Sequence, residues 1–192
     1  MHIITGLPDA ERNLAAELYW EAFGEKLGVV MGPREKGLAF VRRVIDPSHA
    51  ISAIDDTGKL LGVVGFKTNA SALVAGDFTD LKAIYGTFGA VWRAGLLHFL
   101  ERDTENERFL MDGIFVTASA RGRGVGTALL AAIADEARAR GYPAVRLDVI
   151  DTNTRAKALY LREGFAEEKE QHLGPLRYVF KFNSAVTMVK PL

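Results

Sequence analysis

The sequence predicts an α/β protein, a sheet covered by helices, on three observations. Two β-rich runs, residues 50–55 and 60–67, flank Asp56-Thr57-Gly58, which has the composition of a hairpin turn. Residues 109–165 read as strand, glycine-rich turn, amphipathic helix, strand, polar turn and helix, a β-α-β-α order. Three further segments, residues 9–23, 35–44 and 81–100, space their apolar side chains at helical intervals.

Taken in order, residues 2–5 form a short β-prone start. Asp9 is then placed to cap a helix reaching about residue 23, with Leu14, Leu18 and Ala22 along one face. Gly28, Gly32 and Pro33 break the pattern before the helix over residues 35–44 and the hairpin. Residues 81–100 carry Tyr85, Phe88, Trp92 and Phe99 at helical spacing, interrupted by Gly86, Gly89 and Gly95. After a polar stretch come a strand (109–116), a helix (124–140), a strand (145–150) and a helix (153–163). The tail has β-prone runs near Phe165, at 177–182 and at 185–189.

Composition narrows the function. The chain has 192 residues, enough for one domain with a real core, and 48% of them are apolar. Its 24 basic and 24 acidic side chains cancel, which argues against a nucleic-acid binder working through a broad basic face. The absence of cysteine excludes disulfides, thiolate-bound metals and a Cys nucleophile. The four histidines, at 2, 49, 98 and 172, make no ligand pair, so no metal is expected. Ser119 has no G-x-S-x-G surroundings. No window approaches the ~20 apolar residues of a membrane helix. The start, MHIITGLPDAERN, lacks the basic and apolar regions of a signal peptide. A cytoplasmic protein with neither membrane nor nucleic acid as partner is the expectation.

The chemistry is concentrated between Met111 and Phe165. Gly122, Gly124 and Gly126 lie where the chain leaves a strand and enters a helix, so backbone amides there can approach a ligand closely. The helix N-terminus adds unpaired donors and partial positive charge, and Arg121 and Arg123 add more, with Arg155 and Lys157 nearby. A phosphate or pyrophosphate is the natural ligand, although the glycines alone also suit a plain tight turn. A P-loop is excluded because no G-x4-G-K-[S/T] run exists. A dinucleotide fingerprint would need glycine at position 127, which is Thr127, although Asp148 stands about where a ribose-binding acid would.

The run Arg121-Gly122-Arg123-Gly124-Val125-Gly126, followed one strand and one helix later by Asn153, Tyr160 and Gly164-Phe165, resembles the acetyl-CoA site of the GCN5-related N-acetyltransferases. That resemblance implies a mixed, mostly antiparallel central sheet flanked by helices. It also implies a single domain over residues 1–192, with a helical insertion at about 71–107 before the cofactor-binding strand. Residues 121–127 (Arg121, Gly122, Arg123, Gly124, Val125, Gly126 and Thr127) would wrap the CoA pyrophosphate. Main chain at Phe115, Val116 and Thr117 would bond the pantetheine arm as an added strand, in a splay between strands 109–116 and 145–150. Asn153 would reach the cofactor, or act as a helix cap, or both.

Tyr160 would be the general acid for the departing CoA thiolate, or else a core residue beside Ala156 and Leu159. Asp112 stands where the family often has a glutamate that accepts the amine's proton. The implied reaction is direct acetyl transfer from acetyl-CoA to a small-molecule or peptide amine, the alternative being a non-catalytic CoA-binding module. The aromatic segment 81–100 reads as helices covering the sheet or forming a homodimer face, or as part of the acceptor pocket. Acidic residues 101–107 read as a solvated loop or an attractor for a cationic amine.

Overall fold

A computed structural model describes residues 1–100 and 107–192. Seven strands form one sheet in the order β1-β2-β3-β4-β5-β7-β6. They are β1 (His2–Thr5), β2 (Ala50–Ile54), β3 (Leu60–Lys67), β4 (Phe109–Val116), β5 (Ala144–Ile150), β6 (Ala166–His172) and β7 (Ser184–Pro191). Every neighbouring pair is antiparallel except β4 and β5, which are parallel. The expected mixed, mostly antiparallel sheet is therefore observed. Its hairpin turn is locked by Asp55, whose Oδ1 accepts from the amides of Thr57 (2.8 Å) and Lys59 (3.0 Å).

Helix α4 (Val125–Ala139) covers one face of the sheet. Its stripe of Val125, Leu129 and Ile133 is buried against Val64, Phe66, Phe109, Val145 and Leu147. Helix α1 (Arg12–Met31) covers the other, where Ala15 and Leu18 meet Val63 and Phe115. Helices α2 (Arg34–Val44) and α3 (Phe78–Leu100) pack outside α1 around Trp20, Met31, Phe40 and Leu81. Helix α5 (Thr154–Arg162) joins β5 to β6, and the short α6 (Arg177–Phe180) precedes β7.

Four local expectations fail for identifiable reasons. Asp9 caps nothing: it lies in a 3-10 turn, and its carboxylate pairs with Arg12 at 3.7 Å. Helix α1 does not stop near residue 23. Each glycine costs it about 1 kcal/mol, but burial of Val30 and Met31 at 0% and 3% exposure outweighs Gly24 and Gly28. The inward face of α1 is also rotated. Leu14 and Ala22 are exposed, whereas Ala15, Ala16, Leu18 and Trp20 are buried. Residues 177–182 are not a strand: the alternation of Phe180 and Phe182 reflects both rings docking into the α1–α2–α3 core, after a turn begun at Gly174-Pro175.

Candidate functional site

The sheet is interrupted at one seam. β4 and β5 pair only at Phe109–Val145 and Leu110–Arg146, and beyond those residues the two strands part. β5 is held along its whole length by β7, and β4 by β3. The pairing of β3 with β4 also skips a residue: Gly65 faces Gly113 and Phe66 faces Met111, which leaves Asp112 as the bulged residue. This bulge keeps Met111 and Ile114 on the α4 face and places Asp112 on the α1 face.

On the α4 side of the seam stands the glycine-rich turn. After β4, a 3-10 turn over Ala118–Ala120 leads to Gly122 (φ 76°) and then to Gly124 (φ 80°), which caps α4 in a left-handed conformation. Both positions favour glycine for that reason. The first cap-crossing bond of α4 runs from the Ala128 amide to the Gly124 carbonyl at 3.0 Å. Among the described residues, no protein acceptor receives the amides of residues 122–127. Six amides without a protein acceptor at a helix N-terminus make a cradle for an anion.

The charges predicted around the turn are only partly available to such an anion. Arg121 folds back, its Nε donating to the Val116 carbonyl at 3.2 Å, and Lys157 pairs with Glu167 at 2.9 Å. Arg123 and Arg155 are exposed. Thr127 is committed through its hydroxyl to Glu163 at 2.7 Å, tying the start of α4 to the end of α5. Asn153 caps α5, its Oδ1 accepting from the Ala156 amide at 3.2 Å.

Tyr160 is buried on α5 with its ring 5.8 Å from Phe165. Its hydroxyl has no protein partner among the described residues, yet it is not one of the enclosed orphan atoms, so its tip reaches accessible space. Burial pushes its phenol pKa well above the ordinary value, keeping it protonated at neutral pH. Thr117 ends β4 with its amide on the Leu61 carbonyl (2.9 Å), while its Oγ1 is enclosed and finds no partner among the described residues.

On the α1 side of the seam a cleft of about 510 Å³ opens between α1, α2 and the loop 68–76, with Leu110 and Asp112 in its wall. Tyr19 and Trp20 from α1 and Phe40 from α2 line it as well. Tyr19 was not singled out by the sequence. Its phenol pKa is driven upward by burial first and by the charge of Asp112 second, which places the two groups within electrostatic reach. Nothing in the local pattern of α1 signals this, because the pairing is made between α1 and β4, which are far apart in sequence.

Of the aromatic segment, Tyr85 donates to the Met31 carbonyl at 2.5 Å and stacks on Arg93, while Phe88 and Trp92 are exposed. None of these three lines the cleft; α3 contributes Leu97 instead. The Phe99 side chain and the acidic residues 101–106 lie outside the described residues. Among the described residues there is no group of three or more potential metal ligands, and no helix is long and apolar enough to cross a membrane.

Comparison with known proteins agrees with this geometry. The acetyltransferase (GNAT) family model matches residues 13–165. No curated protein sequence matches the chain. Among solved structures, an N-acetyltransferase from Staphylococcus aureus Mu50 aligns with a TM-score of 0.67 at 15% identity, covering 98% of this chain and 100% of that one. A GCN5-related N-acetyltransferase from Kribbella flavida gives 0.64 at 20% identity, over 100% and 97% of the two chains. A Bacillus anthracis str. Ames acetyltransferase solved in complex with acetyl coenzyme A gives 0.52 at 16% identity, over 79% and 68%. These structural likenesses are likenesses of fold.

Proposed function

Because the chain belongs to the acetyltransferase (GNAT) family, and is thereby an acetyl-CoA-dependent acyltransferase, we propose that it transfers the acetyl group directly to an amine that enters from the α1 face. The observation that supports this best is the seam. It joins an anion cradle on one side of the sheet to a cleft holding a carboxylate on the other.

The residues present suit acetyl-CoA. The undonated amides of residues 122–127, with Arg123 and Arg155 nearby, would hold the pyrophosphate. The free edge of β4 toward Thr117 would take the amide-bearing arm as an extra strand, and the Thr117 hydroxyl, enclosed in the free protein, would gain a partner where entry of the arm uncovers it. Thr127 would act through its amide, because its hydroxyl is engaged by Glu163, whereas Arg121, its amide on the Ala118 carbonyl and its Nε on the Val116 carbonyl, would fix the entry to the turn. Asn153 serves first as the α5 cap, which fixes the helix that carries Tyr160.

Acetyl-CoA supplies the activated acyl group. The chain supplies proton management. Asp112 accepts a proton from the incoming ammonium, directly or through water, so that nitrogen presents a lone pair. Tyr160, held neutral by burial, donates its proton to the departing sulfur. No covalent acyl-enzyme is needed. Tyr160→Phe tests the assignment: kcat should fall about 10²–10³-fold while calorimetry shows acetyl-CoA affinity unchanged within twofold. An unchanged kcat removes Tyr160 from the chemistry, and a wild-type chain that fails to bind acetyl-CoA overturns the proposal.

A further inference from the structure

Gly113 lies on the open stretch of β4, beyond the last pairing with β5 at Leu110–Arg146. Its partner in β3 is Gly65, so at this level the sheet carries no side chain of its own on the α1 face. Side chains from elsewhere fill the space. A Cβ at Gly113 would lie 2.5 Å from the tip of the Phe23 ring, and one at Gly65 would lie 2.5 Å from the Leu73 side chain. The Phe23 ring of α1 therefore rests directly on β4 where the edge of that strand is unpaired.

Phe23 is backed by other rings. Its centroid is 4.7 Å from that of Tyr19, which in turn meets Phe115 edge-on at 6.0 Å. Phe115 belongs to the core that also holds Leu18, Val63 and Leu73. A ring pushed off Gly113 toward Tyr19 would have to displace that core, and close-packed interiors yield little. Tyr19 lines the α1-face cleft and Phe23 does not, so this pair of rings stands between the cleft and β4 at Gly113.

The length of the donor brings its reactive end to the same level. Between pyrophosphate and sulfur the pantetheine arm has about twelve chain bonds, the equivalent of about four strand residues. The glycine-rich turn follows the end of β4, so the arm would enter at Thr117 and run back along the strand. Four residues back from Thr117 is Gly113. Asp112 and Met111 then separate the thioester from the point where β4 and β5 pair again. On the α4 face Met111 and Ile114 pack into the core, so a growing acyl chain would be turned toward Phe23.

We infer that Phe23 sets the size of the acyl donor: seated over Gly113, it leaves room for an acetyl group and closes the seam to longer acyl chains. This rests on the proposed seating of acetyl-CoA in the seam and adds a donor-specificity residue to it. A butyryl group is two methylenes longer than acetyl and would meet the ring. In a fitted apolar pocket a single methylene discriminates by about 10–200-fold.

The test is calorimetry on the full chain with CoA, acetyl-CoA, propionyl-CoA and butyryl-CoA, which needs no amine. Wild type should bind butyryl-CoA at least tenfold more weakly than acetyl-CoA, with propionyl-CoA between them. Phe23→Ala should bring that ratio to within about threefold of one. Phe23→Leu keeps the apolar packing and should lower the ratio at least about threefold even if the alanine variant does not fold. Leu18→Val, a change in the same core away from Gly113, should leave the ratio as it is in wild type. Equal wild-type affinities for acetyl-CoA and butyryl-CoA overturn the inference, as does a ratio that survives replacement of Phe23 or moves equally in Leu18→Val. In each of those cases the seating of acetyl-CoA stands. If neither CoA nor acetyl-CoA binds, that seating falls and the inference falls with it.

Discussion

Replacing Thr117 by valine should stabilise the free protein and weaken its grip on acetyl-CoA. The Thr117 hydroxyl is enclosed at the end of β4 without a hydrogen-bond partner among the described residues. A buried unsatisfied polar atom costs about 1–3 kcal/mol, and an apolar group of the same shape removes that cost. Valine keeps the branched outline and the β-branch suited to a strand end. The free protein should therefore gain about 1 kcal/mol, which for a chain of this size is a rise in Tm of about 2–4 °C.

With acetyl-CoA present the advantage shrinks. If the hydroxyl bonds the arm of the cofactor, its loss weakens binding by about 0.5–1.5 kcal/mol, or roughly two- to tenfold in Kd. At a ligand concentration of about 100 times the wild-type Kd, wild type gains about 2.7 kcal/mol; a tenfold weaker variant gains about 1.4. The lead of the variant in the free state should thus narrow on adding ligand, and at the tenfold end it should reverse. Thermal unfolding with and without acetyl-CoA, backed by calorimetry, measures both halves. A variant that is less stable in the free state, or one whose affinity is unchanged, refutes the reasoning at the corresponding step.

The other expectations are independent of that one. Gly124→Ala puts a side chain at φ 80° with open space around it, so backbone strain dominates. Stability should fall by about 1–2 kcal/mol, whereas Gly28→Ala inside α1, also in open space, should raise it by about 0.5–1 kcal/mol; urea unfolding compares them. Asp112→Asn should lower kcat/KM at least tenfold without changing acetyl-CoA affinity. Burial raises the folded pKa of both Tyr19 and Tyr160 above their ordinary value of 10.0. Their contribution to stability is complete below about pH 10 and is lost as pH climbs toward the raised values. Unfolding free energies should be level between about pH 8 and 9.5 and then decline, less steeply in Tyr160→Phe.

How much of this was legible in the sequence depends on how local each signal is. The strand, turn and helix from Phe109 to Ala139 follow from neighbours: alternation in β4, glycines at two left-handed positions, and the stripe of Val125, Leu129 and Ile133. Tyr160 and Asn153 were found because they keep a fixed spacing from that turn. The end of α1 was not legible, because Gly24 and Gly28 are local breakers overruled by the packing of Val30 and Met31. Phe180 and Phe182 misled for the converse reason, since an alternating pattern arose from two rings entering a helical core. Asp112 was noticed as a strand acid, but its bulge depends on the register of β3, which residue types alone do not encode. The cleft was beyond reach, for it is assembled from α1, α2, α3, β4 and the loop 68–76.

The seam between β4 and β5 explains why one sheet can serve two ligands from opposite sides. Beyond Leu110 and Arg146 each strand keeps one bonded edge, β4 toward β3 and β5 toward β7, so neither depends on the other for order. The facing edges are left with backbone donors and acceptors that an ordinary sheet would pair. An extended chain of amides entering the seam completes the sheet, and its binding energy comes from hydrogen bonds the fold has left unmade. With α1 and its cleft on one face of the sheet and α4 on the other, a thioester held in the seam as proposed would meet Tyr160 from one face and an amine at Asp112 from the other. The bulge serves the same arrangement. If the same residues alternated strictly with no bulge, Asp112 and Ile114 would share one face, burying the carboxylate under α4 or exposing the apolar side chain to the cleft.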